Sequence, residues 1–224
     1  MQTMSRRSFL LASLGVASLC LAGCGSGASG AASTSAASAS AVPSSSASSC
    51  VTSASGEYAS GTHHATIEVE GYGAIKLELD ADVAPVTVAN FAKLAGEGFY
   101  DGLTFHRIIE GFMAQGGDPN GNGTGGSDEK IVGEFSDNGH PNSISHVRGT
   151  ISMARSQAYN SASSQIFIMQ ADTPSLDGQY AAFGHVTEGM DVVDAMCEAA
   201  RPTDNNGTIA AADQPRIASV KMDD

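Results

Sequence analysis

The 224-residue chain has no tryptophan and no apolar run approaching the roughly 18–20 residues that a membrane-spanning helix needs. Cations are scarce, with 11 Lys and Arg against 24 Asp and Glu and a formal charge of −13. The clustered Lys and Arg of a nucleic-acid surface are missing, so nucleic acid is not expected as a partner. The acidity itself serves solubility. No metal is expected either: the six histidines lack ligand spacing, and adjacent His63 and His64 would point to opposite faces of a strand. There is no Gly-x-Ser-x-Gly elbow for acyl-transfer chemistry. Gly121, Gly123 and Gly126 have the spacing of a nucleotide-binding fingerprint. Asp118-Pro119 precedes them and no helical period follows, so the strand-to-helix context is absent and they read as a loop beside a cleft.

What is present falls into three parts. Residues 1–23 read as an export signal, with Arg6 and Arg7 ahead of a short apolar stretch that begins at Phe9 and continues to Ala22. Ser5-Arg6-Arg7-Ser8-Phe9-Leu10-Leu11 resembles the twin-arginine motif; adjacent arginines also occur in ordinary signals, and both export routes stay open. Leu21-Ala22-Gly23-Cys24 resembles a bacterial lipobox, which makes Cys24 the expected lipidation site and the membrane a partner through that anchor. A single acyl chain gives only marginal anchoring, whereas a diacylated cysteine holds. The resulting expectation is an extracytoplasmic lipoprotein on the cell membrane. Residues 24–61 are almost entirely Ser, Ala, Gly and Thr, too poor in apolar bulk to offset the entropy of ordering, and read as a flexible tether.

Residues 62–224 read as one folded domain. Ile67 and Val69 alternate with acidic neighbours, Gly71-Tyr72-Gly73 turns the chain, and Ile75, Leu77 and Leu79 keep the period of two, predicting a hairpin. Pro85 opens a helix lined by Val88, Phe91, Ala92 and Ala95, which Gly96 and Gly98 end. Short apolar stretches at 103–109, 112–115, 150–154, 165–169 and 181–186 read as strands. Met190, Val193 and Cys197 mark a second helix, and Ile217 and Val220 a last strand. Many short strands with two helices predict a mainly-β domain, a barrel with capped ends. Cys50 and Cys197 remain after lipidation; the alternatives are a disulfide, which an exported setting permits, and a buried thiol at Cys197.

The block Phe105-His106-Arg107-Ile108-Ile109-Glu110-Gly111-Phe112-Met113-Ala114-Gln115-Gly116-Gly117-Asp118 resembles the signature of the cyclophilins. Further blocks follow the same order: Gly123-Thr124-Gly125-Gly126, Gly149-Thr150-Ile151-Ser152-Met153-Ala154, Ser164-Gln165-Ile166-Phe167-Ile168 and Leu176-Asp177-Gly178. The resemblance covers roughly residues 65–220. It implies a closed antiparallel eight-stranded β-barrel capped by two α-helices. It also implies peptidyl-prolyl cis-trans isomerase activity, exerted by a monomer on proline-containing segments of exported proteins, with no cofactor and no covalent intermediate.

By the same resemblance Arg107 is the catalytic residue, and Phe112, Met113, Phe167 and Leu176 form the proline pocket. Gln115 binds substrate backbone, Ala154, Arg155 and Gln165 belong to the groove for flanking residues, and Tyr180 stands where relatives carry histidine. The residue types suit the task. Amide resonance sets a rotation barrier of about 18–20 kcal/mol, and an enzyme need only bind the twisted amide better than the planar one. Ser175 occupies a position held by tryptophan in many eukaryotic members, which puts tight cyclosporin binding in doubt. The competing reading is a non-catalytic module that holds proline segments as a chaperone or surface scaffold; Arg107 favours catalysis, since binding alone does not require it.

Overall fold

The computed structural model of the chain describes residues 50–224. The expected signal, Cys24 and most of the expected tether therefore lie outside the described residues. Alternation of buried and exposed residues builds the hairpin of β2 (Thr62–Val69) and β3 (Gly73–Asp80), in which Ile67 faces Ile75 and Ala65 faces Leu77. The other strands are β4 (Phe105–Ile109), β5 (Met113–Gly116), β7 (Thr150–Met153), β8 (Ile166–Met169), β9 (Ala182–Glu188) and β10 (Ile217–Met222). A separate short ladder joins β1 (Cys50–Val51) to β6 (Lys130–Ile131) in parallel.

This ladder moves a boundary. The tether was expected to run to residue 61, yet Cys50 pairs with Lys130, and Val51, Ala54 and Tyr58 pack on the core. The ring of Tyr58 meets that of His63 edge-on, and its hydroxyl donates to the main-chain carbonyl of Asp224. A few apolar residues in a Ser/Ala background suffice to dock the segment, a signal too sparse to read as periodicity.

Among the described residues the two α-helices are α1 (Pro85–Gly96) and α2 (Met190–Ala199). Helix α1 buries Val88, Phe91 and Leu94, with Phe91 between the rings of Tyr100 and Phe183 at 5.4 and 5.5 Å. Ala84 at its N-terminus cannot cap it. The buried carboxylate of Glu134 does so instead, accepting the N–H groups of Val86 (3.0 Å) and Thr87 (2.8 Å) and the Thr87 hydroxyl (2.7 Å). Helix α2 buries Val192, Val193, Met196 and Cys197. Burial pushes the Cys197 thiol pKa up to about 12, and among the described residues Cys50 and Cys197 are not bonded to each other.

The main sheet runs β10-β2-β3-β9-β7-β8-β5-β4 and is curled but open, which corrects the expected closed barrel. Its outer strands touch only at a corner. There Gly102 and Ile217 exchange N–H and C=O groups with their neighbours (Gly102 N to Ile217 O and Ile217 N to Leu103 O, both 2.8 Å), and Phe105 donates to Pro215. Beyond that corner the free edge of β4 is taken by the loop at 202–209. Ile108 donates to the Gly207 carbonyl at 2.8 Å, and Ile209 donates to that of His106 at 2.9 Å. The loop occupies the edge that β10 would need for closure. Gly207, at φ +85°, permits this, since a Cβ there would collide with the Ile109 side chain and lie 2.8 Å from the Ile108 carbonyl.

Candidate active site

Four strands place one row of side chains on a common face. Register pairs Arg107 of β4 with Gln115 of β5, Gln115 with Phe167 of β8, and Phe167 with Ser152 of β7. The period of two along β5 adds Met113 to that face. The turn between β4 and β5 supplies Phe112, a short helical turn at Pro174–Leu176 supplies Leu176, and the chain entering β9 supplies Tyr180. All of these except the buried Ser152, together with Ala154 and Arg155, line a cleft of about 150 Å³. Every expected substrate residue except Gln165 is there. Gln165 lines an adjoining cavity and reaches the cleft through Gln115, whose Nε2 donates to the Gln165 Oε1 at 2.9 Å.

Arg107 is held in a defined orientation. Its Nε donates to the Asn206 carbonyl at 2.7 Å and its Nη1 to the Gln115 Oε1 at 3.1 Å. Burial lowers its pKa, while Tyr180 and Asp204 act the other way. Asp204 stiffens the loop that carries Asn206. It accepts the Thr208 N–H, the Thr208 hydroxyl and the Asn206 N–H, and these bonds hold its carboxyl below the usual range. An arginine fixed by two acceptors faces an apolar wall of Met113, Phe112 and Phe167.

Phe167 has its own support. The fully buried His146 ring stacks on it at 5.9 Å and 16°, and the Tyr180 ring meets it edge-on at 5.7 Å. The His146 Nδ1 lies 2.9 Å from a carboxylate oxygen of Asp177 and its Nε2 lies 3.1 Å from the Ser152 hydroxyl. A carboxylate only accepts, so Nδ1 carries the proton and Nε2 accepts from Ser152. Burial lowers the His146 pKa despite Asp177, in keeping with that neutral tautomer. Next to Arg107, His106 is also buried, its pKa lowered by burial, and neither ring nitrogen has a partner among the described residues.

Sequence reasoning did not single out His146, Ser152 or Asn206. Ser152 and Asp177 sat inside recognised blocks, but nothing in their spacing ties them to a histidine elsewhere. Arg155 was expected in the groove for flanking residues. Its guanidinium lies 4.7–5.1 Å from the ring centroids of Phe135, Tyr159 and Tyr180, and it lines both cavities. The glycine-rich loop borders the adjoining cavity, as expected. It is shaped by Asp118, whose carboxylate accepts the N–H groups of Asn120, Asn122 and Gly123.

Comparison with known proteins bears on this arrangement. The family profile described as cyclophilin type peptidyl-prolyl cis-trans isomerase/CLD matches residues 64–222. A peptidyl-prolyl cis-trans isomerase of Synechococcus elongatus is 48% identical over 124 residues, 55% of this chain and 80% of its own length. Peptidyl-prolyl cis-trans isomerase B of Bacillus subtilis is 46% identical over 128 residues, 57% of this chain and 86% of its own. Among solved structures, a Cryptosporidium parvum cyclophilin type peptidyl-prolyl cis-trans isomerase superimposes with a TM-score of 0.64 at 28% identity, covering 73% of this chain and 99% of that one. The same protein was also solved in the presence of the dipeptide Ala-Pro; there the TM-score is 0.63 at 30% identity, with 72% and 99% covered.

Proposed function

The chain belongs to the family of cyclophilin type peptidyl-prolyl cis-trans isomerases, and on that premise we propose that it isomerises X-Pro bonds of exported proteins from a lipid anchor at Cys24. X-Pro bonds populate both isomers and exchange in tens of seconds unaided, slowly enough to limit folding. The observation that carries the proposal is the Arg107 guanidinium, fixed by Asn206 and Gln115 at the rim of an apolar cleft.

The prolyl ring enters between Phe112, Met113, Phe167 and Leu176, where only apolar surface is exchanged for water. Gln115 aligns the substrate backbone, and Ala154, Arg155 and Gln165 take the flanking residues. Rotation removes amide resonance and turns the prolyl nitrogen from planar to pyramidal with a localised lone pair. An Arg107 N–H directed at that lone pair is a better partner for the twisted amide than for the planar one, and this difference lowers the barrier. No nucleophile or cofactor is required, because no bond is made or broken. Substrates are expected to arrive unfolded or extended, since the cleft opens on one face of the sheet.

The twin-arginine-like segment and the Leu21-Ala22-Gly23-Cys24 lipobox support action outside the cytoplasm. The test is a protease-coupled isomerisation assay on a short X-Pro peptide, with Arg107→Ala as the paired variant. The expected result is rapid exchange by the wild type and a loss of about a hundredfold or more in the variant. Peptide binding without exchange by well-folded wild type would replace the proposal with a proline-segment chaperone, and equal rates in the two proteins would remove Arg107 from its role.

A further inference from the structure

A cavity of about 260 Å³ adjoins the cleft and shares Gln115, Ala154 and Arg155 with it, so a peptide seated in one continues into the other. Among the described residues, the charged ones lining it are Lys130 and Arg155, with no Asp or Glu. In a chain with 24 acidic and 11 basic residues, that sign is opposite to the molecule's own. Both cations are placed by the fold. Lys130 comes from β6, its ammonium donating to the Ser127 carbonyl at 3.3 Å and standing beside Gly126, where a Cβ would sit 3.4 Å from Nζ. Arg155 commits Nε and Nη1 to the carbonyls of Gln179 and Ser156 and is surrounded by aromatic rings, partners that orient its charge without neutralising it. Hydroxyls of Thr124, Ser161 and Ser163 complete the lining.

We infer that this cavity selects client segments carrying a carboxylate side chain close to the proline, with Lys130 as the residue that sets the preference. The inference rests on the isomerase reading of the neighbouring cleft. It places a local attraction for acidic segments inside a molecule whose total charge repels them. Discrimination therefore comes at contact rather than during approach, because at physiological salt the distant charges are screened beyond about 8 Å. The ammonium and guanidinium act on a partner seated between them.

The experiment measures cis-trans exchange by NMR with the full-length protein, which needs no coupling protease that could respond to the same charges. Peptides carry Glu, Gln or Lys in turn at each of the three positions on either side of the proline. At one position Glu should exceed Gln by about three- to fivefold in kcat/KM and Lys should fall below Gln, the spread narrowing at high salt. Lys130→Met should bring the Glu-to-Gln ratio towards one, Lys130→Glu should invert it in favour of Lys, and Lys130→Arg should keep it. Equal rates for Glu and Gln at every position, or a ratio untouched by both Met and Glu at 130, overturns the inference. Titration calorimetry on the same peptides separates it from the reading beneath it. A charge preference in affinity without exchange would uphold the inference and sink the isomerase assignment, whereas exchange without charge preference would do the reverse.

Discussion

At the scale of single residues, the proposed catalyst depends on direction as well as charge. Lysine at 107 would keep the charge but lose the planar fork that joins Asn206 to Gln115. Arg107→Lys is therefore expected to lower kcat/KM by about a hundredfold with an unchanged far-UV CD spectrum; a rate near wild type would mean that charge alone suffices. Two of the buried histidines, His106 and His146, make a prediction about pH. Burial lowers the pKa of His106 and of His146 below the ordinary value that each regains on unfolding. On acidification the unfolded chain takes up protons first, so stability present above about pH 6.5 declines as the pH falls from there through the lowered folded values. Tm should be level between pH 8.5 and 7 and should fall below about 6.5. The lowered carboxylates Asp118 and Asp177, held down by hydrogen bonds that outweigh burial, add a further loss as the pH passes below about 4. A Tm that rises between pH 7 and 5.5 would contradict the neutral histidines.

At the scale of elements, the N-terminus of α1 shows what sequence patterns can and cannot deliver. Its start at Pro85 and its apolar face were legible, because proline spacing and helical period are local. Its cap was not, because Glu134 lies 47 residues from Thr87 and nothing local marks it as the partner. Glu134→Ala would strand two backbone donors and a hydroxyl, at a cost of about 2–3 kcal/mol and a Tm lower by roughly 5–10 °C. Thr87→Val, which removes the hydroxyl alone, should cost about 1 kcal/mol. Thermal unfolding of both variants checks this, and equal effects would deny the carboxylate its capping role. The same division runs through the rest of the domain. The β2–β3 hairpin and the remaining strands of the main sheet were readable from alternation and from blocks resembling a family. The Cys50–Lys130 ladder, the support of Phe167 by His146, and the carbonyl of Asn206 under Arg107 all join distant segments through single contacts that leave no period. The open seam of the sheet was illegible for a related reason, since strand number is visible in a pattern while the occupant of an edge is not.

At the scale of the whole molecule, the proposed lipid anchor at Cys24 makes a prediction about partitioning. Wild-type protein from a lipoprotein-processing bacterium should enter the detergent phase and carry a diacylated Cys24 by mass spectrometry; Cys24→Ser should stay in the aqueous phase. A mature protein starting elsewhere without acylation would refute the anchor. The acidic total charge and the basic cavity beside the cleft assign different tasks to different distances, with solubility set globally and choice of segment locally. The open seam between β4 and β10 has a consequence for how such a domain can change. In a closed barrel every strand is fixed by two neighbours, and altering one alters the circumference. Here the 202–209 loop fills the gap and also carries the acceptor for Arg107. Grafts of other lengths or sequences into that loop would shift the arginine and the loop's own bonds to β4 while leaving the strand pairs of the main sheet in place. Turnover is thus adjustable separately from the scaffold, by evolution or by an engineer, through one short piece of chain.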